Sequence, residues 1–442
     1  MTGFEVGLFS VLAILVLIYA GMYVPVALGL VSFVSVWLLR GSLEAPIYLV
    51  TLAASNSLED YIFGVIPLFV LMGLLVSKSE LGRDIYEVAN YTMRRLRGGL
   101  GVATVAANAA FAAITGVSIA SAAVFTRVSV PEMMRFGYKP RFAVGVVAGS
   151  SVLGMLIPPS VMLIIYALIT EQSVADLFKA GIMPGILLSV AYAIAIVTMA
   201  YVFPDYVGGQ DEASKAAQRE QQGKMSLKGL SRKTAPLVIL VLLVLGGIYG
   251  GFFTPTEAGA VGALGALITA LIKRKLNRTA LWNVLVETGH IAASILMLIV
   301  AATMYSRMLA LSGLPSDLGE WISQADIGLY GILTIYVIIL ILMGTILDTT
   351  SIILIMVPLF IPVMEPYGIS LVWFGIVTIV GAEIGLLTPP LGIACYVIKA
   401  TLADEERISL FDIFAGAFPF AVIMLVVLIL LILFPSISLV LV

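Results

Sequence analysis

The 442-residue sequence has one cysteine, one histidine and little charge, with Asp, Glu, Lys and Arg making up 11% of it. Each scarcity excludes something. Cys395 alone forms neither an intramolecular disulfide nor a cysteine-rich metal site. His290 alone leaves no histidine cluster for zinc and no basis for Cys/His catalysis. The sequence has no GxxxxGK[ST] loop for ATP and no TVGYG-like potassium filter. HExxH and GxSxG are missing too, which argues against a membrane protease or hydrolase. The formal net charge of −2 says little, because the placing of Lys and Arg matters more than their sum in a membrane chain. The first stretch, MTGFEVGLFSVLAILVL, lacks the basic region of a cleaved signal and is expected to stay as a helix.

What is abundant is apolar sequence. The chain is 61% hydrophobic with mean hydropathy +1.12, and apolar runs of spanning length recur from end to end. This predicts an all-α polytopic membrane protein. The one long polar segment, 205–233, is expected to be a cytoplasmic linker between two halves, 1–204 and 234–442.

The halves repeat one another. Gly21-x-x-x-Pro25 aligns with Gly251-x-x-x-Pro255, and Met133, Gly137 and Phe142 align with Met364, Gly368 and Trp373. "GMLIPP" from Gly154 aligns with "GLLTPP" from Gly385. Gly116 precedes the small-residue run Val117 to Ser121, as Gly344 precedes Leu347 to Ser351. Loop charges set the relative orientation. Segment 78–97 carries Lys78, Arg83, Arg94, Arg95 and Arg97, whereas its counterpart 309–326 has no base and carries Asp317, Glu320 and Asp326. Conversely, 273–278 reads KRKLNR where the first half offers only Arg40. Corresponding loops therefore belong on opposite sides of the membrane, which is an inverted repeat. The resulting trace places both termini outside and 78–97 along the cytoplasmic face as a basic amphipathic helix. It predicts re-entrant helical hairpins at 98–130 and 326–364, and broken helices at 142–170 and 371–398.

Adjacent prolines inside an apolar helix release backbone carbonyls, which membrane depth tolerates only against protein or a cavity. If each Pro-Pro break meets a hairpin tip, carbonyls and Ser/Thr hydroxyls converge in a set suited to Na⁺, while helix N-termini suit a carboxylate. Intramembrane charges are functional candidates by default. Asp348, at the second tip, can ligate a cation or carry a proton, and Glu383 can hold the break in place. Glu257 reads as a structural or helix-capping residue or a gating contact. Arg127 and Arg307 can each pair with a carboxylate or reach a membrane surface. His290 is expected to be a packed helix residue.

The segments FFTPTEAGAVGAL (252–264), IPLFVLMGLL (66–75), ITGVSIASAAV (114–124), GMLIPPSVMLIIYALIT and GLLTPPLGI together resemble the large membrane (DctM-type) subunit of tripartite ATP-independent periplasmic (TRAP) transporters, over nearly the whole chain. The resemblance implies Na⁺-coupled uptake of a small organic acid by an elevator motion in a bacterial or archaeal inner membrane. It implies two partners, a separate small four-helix membrane subunit and a soluble periplasmic binding protein, and no nucleic acid or organic cofactor. Carried onto this chain, one Na⁺ site comprises Ser118, Ser121, Gly154, Ile157 and Pro159. A second comprises Gly344, Asp348, Thr349, Gly385 and Thr388. Substrate is expected between the tips, near Gly116, Arg127 and Thr350, although Arg127 stands where the family helix is usually apolar or small. Two other readings stay open: a stand-alone Na⁺- or H⁺-coupled carrier with inverted repeats, and a channel or intramembrane enzyme.

Overall fold

The computed structural model describes residues 2–59, 61–209, 226–324, 327–402 and 408–442, and the structural statements below concern these. The first half comprises α1 (Gly3–Tyr19), α2 (Val24–Arg40), α3 (Glu44–Glu59), α4 (Val65–Lys78), α5 (Leu81–Met93), α6 (Gly99–Thr115), α7 (Ser118–Arg135), α8 (Pro140–Ser151), α9 (Leu153–Leu156), α10 (Val161–Thr170), α11 (Val174–Val202) and α12 (Pro204–Val207). The second half comprises α13 (Leu227–Tyr249), α14 (Pro255–Ile272), α15 (Arg278–Ser312), α16 (Leu314–Gln324), α17 (Leu329–Gly344), α18 (Thr349–Met364), α19 (Leu371–Leu386), α20 (Ile393–Thr401), α21 (Leu410–Leu433) and α22 (Ser436–Leu439). Among the described residues there is no β-strand, only an isolated bridge between Tyr138 and Gly208.

The chain is an all-α membrane protein. Six helical segments, α11, α13, α14, α15, α18 with the turn that follows it to Tyr367, and α21, are long and apolar enough to cross a bilayer. Two further pairs qualify only as bent spans: α4 with α5 at 63°, and α8–α9 with α10 at 40° across the first Pro-Pro element. Large apolar side chains such as Phe9, Trp37, Ile239 and Phe411 are exposed, which acyl chains tolerate and water does not.

Of the expected linker 205–233, residues 210–225 lie outside the described residues, as does Asp326 at the start of the expected second hairpin. Leu227 to Lys233 are not linker but the first turns of α13, because the Ser226 side chain caps that helix by accepting from the Gly229 N–H at 3.1 Å. Elsewhere, too, helix ends follow local chemistry. Gly116 ends α6 in the left-handed conformation at φ 61°, and Thr254 and Glu257 form a capping box at the start of α14.

Packing sorts the helices into two groups. Helices α1–α4 pack with α13–α15, and α6–α11 pack with α17–α21. The groups meet through α5, against α6 on one side and α13 on the other, and directly where α4 packs on α6 and α15 on α18. Three ion pairs fasten its region to the second half: Lys233 with Glu87, Lys273 with Asp84, and Lys275 with Glu80 at 2.8 Å. All are partly exposed, so each contributes at most about 1 kcal/mol. The two halves also interleave inside the second group. A Cβ on Gly145 of α8 would lie 2.2 Å from the Gly416 carbonyl oxygen of α21, and one on Gly149 would meet Phe420 at 2.4 Å. Only glycines at i and i+4 let these helices approach so closely.

Candidate functional site

In the first half, the turn between α6 and α7 rests on the Pro-Pro break. The Val161 N–H donates to the Gly116 carbonyl at 3.3 Å. A Cβ on Gly116 would lie 2.3 Å from the Pro159 oxygen, and one on Gly154 would lie 3.1 Å from the Val117 carbonyl carbon. Ser118 and Ser121 occupy the first turn of α7 above this contact and are buried. Neither hydroxyl has a hydrogen-bond partner. Many such groups elsewhere bond back to a carbonyl one turn earlier, as Thr126 does to Ala122 at 2.6 Å, while Ser32 and Ser438 are likewise without a partner. The five residues expected at the first Na⁺ site thus belong to one tip-and-break centre, with two orphaned oxygens inside it.

The second half builds a centre alike in backbone. The Leu391 N–H, just past the second Pro-Pro, donates to the Thr345 carbonyl at 3.0 Å. A Cβ on Gly385 would lie 2.4 Å from the Gly344 Cα. The side chains differ from those of the first centre. Asp348 caps α18, accepting from the Ser351 N–H at 3.2 Å and from the Ser351 hydroxyl. The Thr349 hydroxyl donates to Glu383 Oε1 at 2.6 Å. Glu383 is 1% exposed, and its Oε2 has no hydrogen-bond partner. Thr388 donates to its own helix, at 3.0 Å to Ile384 and 2.9 Å to Gly385, leaving its oxygen lone pairs free to accept. Buried polar atoms are normally satisfied, and the oxygens without a partner at both centres have lone pairs open to a further ligand. Among the described residues no cluster of three or more His, Cys, Asp or Glu is present, and hydroxyl and carbonyl oxygens suit a hard monovalent ion.

Between the centres lies a cavity of about 860 Å³. Ser118 faces it from one tip, and Asp348, Thr349 and Thr350 from the other. It extends to Lys78, Glu80 and Arg83 at the α4–α5 junction. The Thr350 hydroxyl reaches Met162 Sδ of α10 at 3.5 Å, so the two halves touch at its inner end. Of the residues expected to hold substrate, Arg127 and Thr350 face the cavity, whereas Gly116 is packed beneath it against Pro159. Arg127 stands nine residues beyond Ser118, about 13 Å along α7 from the tip.

Other candidates separate. Arg307 faces a different cavity of about 580 Å³, with Glu59 and Glu171. Glu257 Oε2 accepts from the Thr254 N–H at 2.8 Å and is occupied as a helix cap. His290, read as packed, is exposed on α15. Sequence reasoning missed Glu287, which faces the main cavity from α15. An ionisable residue nine positions into a long apolar helix was signal enough, had that rule been applied to every such residue. The cross-half contact of Met162 left no such trace.

Buried polar centres around a cavity in an all-α bundle define a membrane transporter as the class, and the fold agrees. A solved transporter, YdaH of Alcanivorax borkumensis, shares it with a TM-score of 0.62 over 89% of this chain and 90% of that one, at 14% identity. The family is settled by sequence. The chain belongs to the tripartite ATP-independent periplasmic transporter family, DctM component, whose family model matches residues 11–437. It is 32% identical over 382 residues to the C4-dicarboxylate TRAP transporter large permease protein DctM of Pseudomonas aeruginosa, covering 86% of each chain. It is 30% identical over 433 residues to the sialic acid TRAP transporter large permease protein SiaM of Vibrio cholerae, covering 98% of this chain and 97% of that one.

Proposed function

We propose that this chain is the large permease subunit of a Na⁺-coupled importer of a small organic acid, a carboxylate of the kind named for its relatives, C4-dicarboxylate or sialic acid. It works in a cytoplasmic membrane with a small membrane subunit and a periplasmic binding protein. The observation that carries the Na⁺ reading is the pair of tip-and-break centres, each with buried oxygens that no protein group satisfies: Ser118 and Ser121 in one, Glu383 in the other.

In this reading Ser118, Ser121, Gly154, Ile157 and Pro159 hold one Na⁺, and Gly344, Asp348, Thr349, Gly385 and Thr388 hold the second. Their oxygens replace the ion's water, and the ion's charge offsets the carbonyl ends and the carboxylates. The tips are then drawn onto the breaks, and the carboxylate docks in the cavity that both tips line. With its charges compensated, the loaded unit of α6–α11 and α17–α21 can cross the bilayer against α1–α4 and α13–α15, as an elevator does. Without Na⁺, uncompensated carboxylates would have to enter hydrocarbon, at several kcal/mol each. The sorting of helices into two packing groups supports this division of labour.

The test is reconstitution with both partners in liposomes under an imposed Na⁺ gradient. Uptake of a labelled organic acid should collapse when the gradient is abolished. Uptake unchanged with no Na⁺ on either side would refute the coupling. Uptake by this chain alone, without a binding protein, would favour a stand-alone carrier instead.

A further inference from the structure

Besides Lys78 at its α4–α5 end, the main cavity is lined by two opposite charges that have no protein partner. Arg127 on α7 and Glu287 on α15 both face it and are exposed. Among the described residues neither makes a hydrogen bond or an ion pair. Both also lie toward the α5 end of their helices. Arms α6 and α7 are nearly equal in length and meet at Gly116–Val117, so Arg135 returns to the level where α6 begins, beside α5. Lys273 and Lys275, just ahead of α15, pair with Asp84 and Glu80 at the start of α5. Both helix ends therefore lie near α5. Arg127 is eight residues in from Arg135 and Glu287 nine in from Arg278, so each is about 12–14 Å along its helix from that end. The neighbouring cavity wall is small or aliphatic, with Ala123, Val124 and Ile291.

Unpaired charges at membrane depth are costly and mark a ligand path. A path for a plain anion would keep Arg127 and exclude Glu287, which repels a carboxylate. Both are present and neither neutralises the other, so a ligand that carries both complements suits this lining better than a plain anion does. We infer that this cavity selects a zwitterionic monocarboxylate, a small organic acid that also carries a protonated amine. The guanidinium of Arg127 takes the carboxylate by a two-pronged hydrogen bond, and Glu287 takes the ammonium. A dicarboxylate is disfavoured because its second carboxylate would face Glu287, with Asp348 deeper in the same cavity. This inference rests on the transport reading above and narrows its substrate class.

The experiment measures binding to the purified full chain in lipid nanodiscs with Na⁺ present, so that selection by the binding protein does not enter. The probes are radiolabelled aminocarboxylates of two to six carbons and the dicarboxylates of matching length, including 4-aminobutanoate against succinate. The best aminocarboxylate is expected to bind on the order of tenfold more tightly than its matched dicarboxylate. Glu287→Gln should erase that preference, and Arg127→Gln should weaken both classes. A dicarboxylate that binds as tightly as any aminocarboxylate would overturn the proposal. So would a preference that survives Glu287→Gln, or an absence of aminocarboxylate binding. Neither side chain has a partner to lose, so both variants should keep the wild-type melting temperature. Na⁺-driven uptake of a dicarboxylate would defeat this selectivity and leave the transport reading intact. Na⁺-independent uptake would defeat the latter by itself.

Discussion

The two tip-and-break centres use the same backbone device with different side-chain chemistry. In each, a carbonyl at the hairpin turn accepts from an N–H just past a Pro-Pro pair, 3.3 Å at Gly116 and 3.0 Å at Thr345. In each, glycine lets the turn touch the break, through Gly116 and Gly154 in one and Gly344 and Gly385 in the other. The first centre then offers only neutral hydroxyls, whereas the second adds Asp348 and Glu383. Backbone geometry is therefore shared and charge is not. The second centre should bind its cation more strongly, and the first should depend on the fit of its oxygens.

The comparison can be broken first at the backbone, where the effect is largest. Gly116→Ala meets the Pro159 oxygen and a left-handed φ of 61°, and Gly385→Ala meets the Gly344 Cα. Each should cost about 1–3 kcal/mol and abolish most uptake, read by melting temperature and transport together. If either alanine were silent, the contact between tip and break would not matter to the mechanism. Next comes charge. Asp348→Asn should raise the Na⁺ concentration for half-maximal uptake about tenfold, corresponding to roughly 1.4 kcal/mol. No comparable change at the first centre is expected from any single hydroxyl.

The third effect concerns stability. Thr349→Val removes the 2.6 Å hydrogen bond to a buried carboxyl and should destabilise the protein by about 1–3 kcal/mol in thermal unfolding. The smallest effect sharpens the contrast. Ser121→Ala removes a buried hydroxyl that no protein group satisfies, so the melting temperature should hold or rise while Na⁺ affinity falls only a few-fold. A fall in melting temperature without a change in Na⁺ response would make Ser121 a packing residue. Thr388→Ala should behave similarly, since its hydroxyl hydrogen serves only its own helix.

Much of this arrangement is legible in the chain. Hydropathy gives the membrane class, and repeated Gly and Pro spacing puts helix ends near 116, 154, 344 and 385, where the structure has them. Gly116 is legible because a tight turn needs its left-handed backbone, and Asp348 because a lone carboxylate in apolar sequence needs a reason. The start of α13 inside the polar run is less legible, because its position depends on Ser226 serving as the cap. Arg127 and Arg307 are both bases in apolar helices, yet they face separate cavities. Sequence position carries no record of which helices lie across from one another.

The sequence by itself determined the family, the helical membrane fold, the two Pro-Pro breaks and the residue types at each centre. Those follow from local physics: apolar length, a missing proline N–H and glycine's freedom at positive φ. Only the tertiary structure decided that Thr349 bonds to Glu383, that Thr350 meets Met162, and that Arg127 and Glu287 share one cavity. Such pairings join residues 34 to 188 positions apart. They are set by how whole helices pack, which no local pattern of the chain encodes.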